Sequence, residues 1–206
     1  MKLKNIFFIA MLALVATVIY YSWSGGQTEK EYLDQIQKDR KDKDEFMHTS
    51  DQSPFGEERK NFKSLNYFAP VVKYKINASL HHIRDKQMIL LPASDGKERK
   101  YLPYAYAEFE LDKEHCKLLI LEIVDDPQNN GMLFLAFADA TSASETYGAG
   151  RYLEVKKVRG ASSILLDFNQ AYNPYCAYSE KYSCPLPPRE NILKVAIRAG
   201  EKKYHE

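Results

Sequence analysis

The hydrophobic pattern changes character near Pro70. From there on, short segments rich in Val, Ile, Tyr and Phe alternate partly with polar residues, and turn-forming segments such as "SDGK" and "RGAS" separate most of them. No helical period lies between consecutive segments. This pattern is typical of a mainly β domain, an antiparallel barrel or sandwich of about eight strands. The predicted strands lie in "VVKYKINASL", "KQMILLPA", "YLPYAYAEFELD", "CKLLILEIV", "GMLFLAFAD", "RYLEVKKV", "SSILLDFN" and "ILKVAIRAG".

An uncharged apolar run, residues 6–23, follows Lys2 and Lys4. It reaches the lower limit for a helix that crosses a hydrocarbon core of about 30 Å. The sequence therefore predicts a transmembrane or signal helix with a hinge over residues 1–26, either an uncleaved signal anchor or a cleaved signal peptide. The leading lysines keep the N-terminus cytoplasmic in both cases. We expect a bacterial cell-envelope protein that contacts the membrane through residues 6–23, or a periplasmic or secreted protein if cleaved.

Residues 27–52 are dominated by charge, and Thr28 and Glu31 have the spacing of a helix-capping box. The segment is predicted to form a charged spacer helix ahead of a β-rich domain over residues 53–206. Its apolar stripe is thin and includes Ile36 and Met47. A solvated spacer with i,i+4 charge pairs is the favoured interpretation, and a membrane-proximal or partner-binding helix is the alternative.

The charge balance argues against nucleic-acid binding. Lys and Arg total 29 against 28 Asp and Glu, which gives a net charge of +1, whereas phosphate neutralisation needs clustered basic residues. The 15 tyrosines agree with a β-rich fold. No partner among nucleic acids is expected.

The sequence offers few catalytic or metal-binding motifs. It has no G-x-S-x-G elbow and no S-x-x-K, and Cys176 and Cys184 lack the C-x2-C spacing of a structural zinc site. No cofactor and no metal are therefore predicted. In an exported chain, Cys176 and Cys184 form the natural disulfide, with a free or redox-active thiol pair as the alternative; Cys116 is expected to be a packed free thiol. "YGAGRY" favours a turn with positive φ over an anion site, and leaves Arg151 available to a carboxylate.

Several motifs in the C-terminal half point to a family. "TYGAGRYLEV" and "LLDFNQAYNPYCAYSEKYSCPLPPRENILKVAIRAGEK" resemble the bacterial and archaeal domain of unknown function 1684 family, whose members carry similar T-Y-G-x-G-R-Y, F-N-x-A-Y-N-P-x-C-A and C-P-x-P-P-x-E-N runs. "NYFAPVVKYKINASL" is similar to the start of that family. The resemblance covers roughly residues 30–203. It implies no activity, cofactor or catalytic residue.

Two functional hypotheses follow. The favoured one is an uncharacterised anchored or exported β-rich domain that binds a ligand or an envelope protein through the Tyr-, Pro- and Cys-rich segment 169–190, since tyrosine rings supply contact area at low entropic cost. These rings could instead only cover an open barrel end. The alternative is a hydrolase-like or thiol-dependent enzyme with Asp167, Glu190 and Arg151 at one end of the barrel. Catalytic residues are unknown; the candidate binding residues are Tyr147, Arg151, Asp167, Asn169, Tyr172, Asn173, Tyr175, Tyr178 and Glu190.

Overall fold

The computed structural model describes residues 11, 14–15, 27–124 and 132–204. The chain separates into two units, residues 1–35 and 36–206. Most of the predicted span 6–23, and its hinge up to residue 26, lie outside the described residues; the described residues 11, 14 and 15 are helical. Within the part of the chain that the structure describes, no helix is both long and apolar enough to span a bilayer.

Helix α1 (Glu29–Thr49) begins at the predicted capping box. The Thr28 amide donates to the Glu31 carboxylate at 2.8 Å, and the Glu31 amide donates back to the Thr28 hydroxyl at 3.2 Å, so two exposed helix amides are satisfied reciprocally. Further along α1, the side chains of Ile36 and Met47 are buried. The interpretation of α1 as a solvated spacer is therefore wrong for these two residues. From Ile36 onward, α1 belongs to the larger unit.

The sheet of the larger unit is antiparallel throughout and has the strand order β6-β5-β4-β3-β1-β7, with β2 paired to β3 beside this path. The two outermost strands, β6 and β7, approach each other, so the sheet is a nearly closed barrel. This confirms the predicted mainly β, antiparallel class. The strands are β1 (Lys75–His82), β2 (Ile89–Pro92), β3 (Glu98–Leu111), β4 (Glu114–Ile123), β5 (Met132–Phe137), β6 (Arg151–Lys156) and β7 (Ser163–Asp167).

Both faces of the central strands are buried. Leu118 and Ile120 of β4 belong to the main core, whereas Leu119 and Leu121 belong to a second cluster with Tyr152. Because side chains alternate between the two faces of a strand, the two clusters must lie on opposite faces of the sheet. This explains why β4 and β5 read as continuous apolar runs instead of clean alternations. The segment that covers the second face includes Tyr172 and Tyr175.

The structure corrects the predicted number of strands. Seven strands are present among the described residues, and the predicted eighth, "ILKVAIRAG", is an extended segment that makes only one isolated parallel bridge, Ala138 to Ile192. Backbone bonds hold its first part, since the Leu193 amide donates to the Ala138 carbonyl at 2.8 Å and the Ala140 amide donates to the Val195 carbonyl at 2.9 Å. Side chains bond its second part. The Ile197 amide donates to Asp139 at 3.2 Å, and the Arg151 guanidinium donates to the Ile197 carbonyl at 2.8 Å. An alternating apolar pattern reports which side chains are buried, and it does not report what the backbone bonds to.

Candidate functional site

A cavity of about 700 Å³ opens between the second half of α1 and strand β6 with the segment that follows β7. This volume falls within the roughly 300–1,000 Å³ of small-molecule sites. From α1 come Asp39, Arg40, Lys43 and Phe46. The opposite wall is aromatic, since five tyrosines line the cavity: Tyr67, Tyr152, Tyr172, Tyr175 and Tyr182.

A buried ion pair forms one wall of the cavity. Glu201 is almost fully buried, and its Oε1 lies 2.7 Å from Lys43 Nζ. Its Oε2 accepts hydrogen bonds from the Asn173 amide, at 2.9 Å, and from the Tyr178 hydroxyl. The lysine also lies 4.5 Å from the ring centroid of Tyr172. The buried carboxylate is therefore compensated, which a buried charge requires, and Lys43 ties α1 to the C-terminal segment.

Tyr67 and Arg40 lie beside this pair. The Arg40 guanidinium is 4.5 Å from the Tyr67 ring centroid, and its Nη1 donates to the Phe68 carbonyl at 2.8 Å. The Tyr67 hydroxyl is buried and has no hydrogen-bond partner among the described residues. Burial raises the pKa of Tyr67 well above its ordinary value, and the Glu201 carboxylate adds to the effect. The Tyr67 hydroxyl therefore stays protonated at neutral pH, and it is a buried donor without an acceptor among the described residues.

The rings on the opposite wall pack edge to face. The Tyr175 and Tyr182 centroids are 5.1 Å apart, and those of Tyr152 and Tyr172 are 5.9 Å apart. The Tyr152 hydroxyl donates to the Pro185 carbonyl at 2.5 Å, and that of Tyr172 donates to Glu154 at 3.1 Å. Both inner rings are thus fixed by their hydroxyls, whereas Tyr182 is exposed at the rim. The inner rings are therefore held by hydrogen bonds, whereas the ring of Tyr182 contacts solvent.

The two cysteines of this segment are in contact. The Cys176 amide donates to the Cys184 sulfur at 3.3 Å, and the Tyr147 hydroxyl donates to the Cys176 sulfur at 3.7 Å. All three cysteines of the chain are free thiols in this structure. Cys184 lines the cavity, whereas Cys116 is a buried free thiol in the main core, as the sequence predicts. The Cys176–Cys184 disulfide stays a prediction.

Arg151 has a structural role, because its side chain binds the C-terminal segment. It is 1% exposed; its Nη2 lies 2.8 Å from the Asp139 carboxylate, and its other bonds go to the carbonyls of the C-terminal segment. The preceding turn has the predicted positive φ at Gly150. Both terminal nitrogens of Arg151 are therefore already bonded, and the residue does not line the cavity.

The other candidate residues divide between the cavity and the scaffold. Asn169, Tyr172 and Tyr175 line the cavity. Asp167 caps the turn after β7 by accepting the Asn169 amide at 3.1 Å, and Glu190 is an exposed residue of a 3₁₀ turn. Remaining members lie close by without lining the cavity: Tyr147 contacts Cys176, Asn173 binds Glu201, and Tyr178 is buried against Glu201.

Arg151, Asp167 and Glu190, the three residues of the enzyme hypothesis, do not line this cavity. Among the residues that the structure describes, no group of three or more His, Cys, Asp or Glu side chains is arranged to hold a metal ion.

Sequence reasoning missed Arg40, Lys43, Tyr67 and Glu201. All four are charged or aromatic residues in segments that read as spacer, linker or tail. The one available signal was the interrupted apolar stripe on α1, since Ile36, Arg40, Lys43 and Met47 follow helical spacing. That stripe marks the face of α1 that meets the cavity.

Two comparisons give matches. The family described as "Protein of unknown function (DUF1684)" matches residues 60–202. The solution NMR structure of an uncharacterized protein from Haloarcula marismortui is 36% identical, with a TM-score of 0.67, over 86% of this chain and 97% of that one. The comparison with curated proteins returns no match to this sequence.

Proposed function

This chain belongs to the DUF1684 family, whose description assigns no activity, and we propose that its larger unit is a binding domain for a small, neutral, amphipathic molecule. The observation that carries this proposal is the cavity of about 700 Å³ with its wall of tyrosines. Most ligand sites are concave and apolar, with a few polar groups that fix orientation. The fixed rings of Tyr152 and Tyr172 supply such a surface.

The charged side chains that line the cavity limit the class of ligand that can bind there. The cavity carries both signs, since Arg40, Lys43, Asp39 and Glu154 all line it, and Lys43 is neutralised by Glu201. A strongly charged ligand would leave one of these groups opposed by a like charge, which is unfavourable. A molecule with a flat apolar face and peripheral hydroxyls fits both the rings and the polar rim. Neutral mono- and disaccharides have this chemistry, and they are the class we propose.

The test is isothermal titration of the reduced, full-length chain with glucose, N-acetylglucosamine and maltose. We expect at least one of them to bind at one site per chain. Tyr175→Ala should weaken that binding by about tenfold, since a ring stacked on a ligand is worth on the order of 1.4 kcal/mol. The matched control is Tyr106→Ala, because Tyr106 is also half-buried but lies outside the cavity.

Two outcomes would reject the proposal. One is the absence of binding by all three sugars. The other is an equal loss of affinity in Tyr175→Ala and Tyr106→Ala, which would indicate a general effect on folding instead of a contact. Thermal unfolding of both variants, followed by circular dichroism, separates these causes.

We also propose that the domain acts outside the cytoplasm, in the bacterial cell envelope, where the ligand or an envelope protein would meet it. The support is the apolar run of residues 6–23 behind Lys2 and Lys4. Deletion of residues 6–23 should move the protein from the membrane or periplasmic fraction to the cytoplasm. Fractionation of cells that express each form measures this, and an unchanged distribution would refute the proposed export.

A further inference from the structure

Cys176 and Cys184 lie in a setting that the proposed binding function does not use. Cys184 is buried, and its amide donates to the Ser94 hydroxyl at 3.1 Å while the Ser94 amide donates to its carbonyl at 2.9 Å. Ser94, in the turn after β2, thus holds Cys184 in place. Cys176 follows Pro174 in a 3₁₀ turn, Tyr175–Ala177, and is only half-buried. One thiol is fixed and the other is accessible.

The contacts between the two residues bring their sulfurs together. The Cys176 amide donates to the Cys184 sulfur at 3.3 Å. The Tyr147 hydroxyl donates to the Cys176 sulfur at 3.7 Å. A hydrogen bond donated to Cys176 Sγ favours its thiolate.

The groups around Cys176 and Cys184 shift the pKa values of the two thiols in opposite directions. Hydrogen bonding from Cys184 is the main cause that lowers the pKa of Cys176, to about 6, against the opposing effect of burial. The same bond and burial raise the pKa of Cys184. The other titratable neighbours are Tyr147, Tyr152 and Tyr101, whose pKa values burial raises, so they stay neutral. At neutral pH the pair is one thiolate and one thiol, which is the arrangement of an attacking and a resolving cysteine.

We propose that Cys176 and Cys184 form a redox-responsive dithiol, in which Cys176 reacts with a small hydroperoxide and Cys184 converts the product to a disulfide. A half-buried thiol such as Cys176 admits a small oxidant more readily than a protein disulfide. This inference is independent of the proposed ligand.

The chemistry balances in two steps. The Cys176 thiolate attacks one peroxide oxygen, an S–O bond forms as the O–O bond breaks, and the leaving hydroxide takes a proton to become water. The Cys184 sulfur then attacks the Cys176 sulfenic sulfur, an S–S bond forms as the S–O bond breaks, and the second oxygen leaves as water with the thiol proton. The two thiols lose two electrons, and the hydrogen peroxide is reduced to two molecules of water.

The disulfide would act on the cavity wall. Tyr182, Ser183 and Cys184 all line the cavity, and they lie within the segment that a 176–184 bond would close. Oxidation would therefore fix this part of the wall, whereas reduction leaves it joined to Cys176 by hydrogen bonds alone. A general thiol reductant restores the starting state.

The sequence makes the test direct, because Lys181 lies between the two cysteines. The reduced full-length chain is treated with equimolar hydrogen peroxide, quenched with iodoacetamide and digested with trypsin. Oxidation should yield peptide 160–181 joined to peptide 182–189. Cys116 falls in the separate peptide 114–117 and should stay alkylated, so it serves as an internal control: it is 3% exposed, and burial raises its pKa.

Two variants test the roles of Cys184 and Tyr147 in this reaction. Cys184→Ser should abolish the linked peptides and leave Cys176 as a sulfenic acid that dimedone traps. Tyr147→Phe should slow the reaction of Cys176 with iodoacetamide at pH 7 by a few-fold, since it removes one donor to the thiolate. In the native chain, Cys176 should react at least about tenfold faster than Cys116, because the thiolate fraction and access both favour it.

Three results would each overturn the inference. They are oxidation of Cys176 no faster than that of Cys116, disulfides that form only between chains, and a Cys184→Ser variant that traps no sulfenic acid. Circular dichroism melts of Cys184→Ser and Tyr147→Phe verify that each variant is folded.

Discussion

Replacement of Arg151 by Met would test how the C-terminal segment is held without a strand partner. Met keeps a similar length but removes the guanidinium, and with it the bonds to the Asp139 carboxylate at 2.8 Å, to the Ile197 carbonyl at 2.8 Å and to the Glu201 carbonyl at 3.2 Å. The bond to the Ala199 carbonyl is also lost. Asp139 then remains as a buried carboxylate with no opposite charge beside it.

The expected magnitude follows from this burial. Removal of one member of a buried ion pair costs about 3–5 kcal/mol, which is a large share of the roughly 5–15 kcal/mol that stabilises a typical domain. Asp139 Oδ1 keeps its bonds from the Thr141 amide, at 2.8 Å, and from the Thr141 hydroxyl, at 2.6 Å. These donors soften the loss but supply no positive charge. We therefore expect Arg151→Met to lower the free energy of unfolding by about 3 kcal/mol or more.

Urea denaturation followed by far-ultraviolet circular dichroism measures this change, provided that the m-value is the same in both proteins. The matched control is Arg198→Met. The Arg198 guanidinium also binds a carboxylate, that of Glu145 at 2.8 Å, but its side chain is 58% exposed. An exposed pair contributes little to stability, because water and salt screen it. The reasoning is refuted if the two variants lose equal stability, because burial would then not decide the value of the pair.

Three further changes test other parts of the scaffold, and a fourth tests the cavity wall. Asn191→Ala removes bonds to the Leu119 amide and carbonyl and the Ala136 carbonyl, and should cost about 2–4 kcal/mol in the same denaturation assay. Gly200→Ala should destabilise more than Gly160→Ala: both have positive φ, but a Cβ at Gly200 meets the Ala171 carbonyl oxygen, whereas Gly160 has open space. Burial raises the pKa of Glu122, but hydrogen bonds from Lys86 and Lys157 outweigh it and lower the pKa below 4.5. This contribution is therefore complete above pH 4.5 and lost as the pH falls through the lowered value, and Glu122→Gln should flatten the loss of stability in that acid range. Tyr67→Phe removes an unpartnered buried hydroxyl, and should leave the melting temperature unchanged or higher; a marked decrease would show that the hydroxyl has a partner.

Much of the barrel could be predicted from the sequence because its strands carry their own signal. β3 is rich in aromatic residues and β4 in Leu and Ile, a turn joins them, and each occupies most of its predicted segment. The capping box at Thr28 was equally local. Such features depend only on residues that are close together in the sequence.

The cavity could not be predicted in this way, because it depends on contacts between distant segments. Lys43 lies in a charged helix and Glu201 lies near the end of the chain, and no local pattern indicates that they meet at 2.7 Å. The predicted eighth strand failed for a related reason. It makes backbone bonds only to the residues that follow β5, and the amide and carbonyl of Ile197 are bonded by the side chains of Asp139 and Arg151, so a β-like pattern exists without a regular ladder.

The asparagines of the segment 169–191 explain how an irregular wall can be rigid. Asn169 both donates to the Val71 carbonyl, at 2.9 Å, and accepts its amide, at 3.0 Å, and Asn191 does the same to Leu119. Each amide side chain supplies the pair of bonds that a neighbouring strand would supply. Since the asparagines hold the backbone, Tyr172 and Tyr175 can line the cavity while they pack on the second cluster. Variants of the asparagines should therefore lose stability, whereas Tyr175→Ala should lose ligand affinity with no greater loss of stability than Tyr106→Ala, whose ring packs on the same cluster.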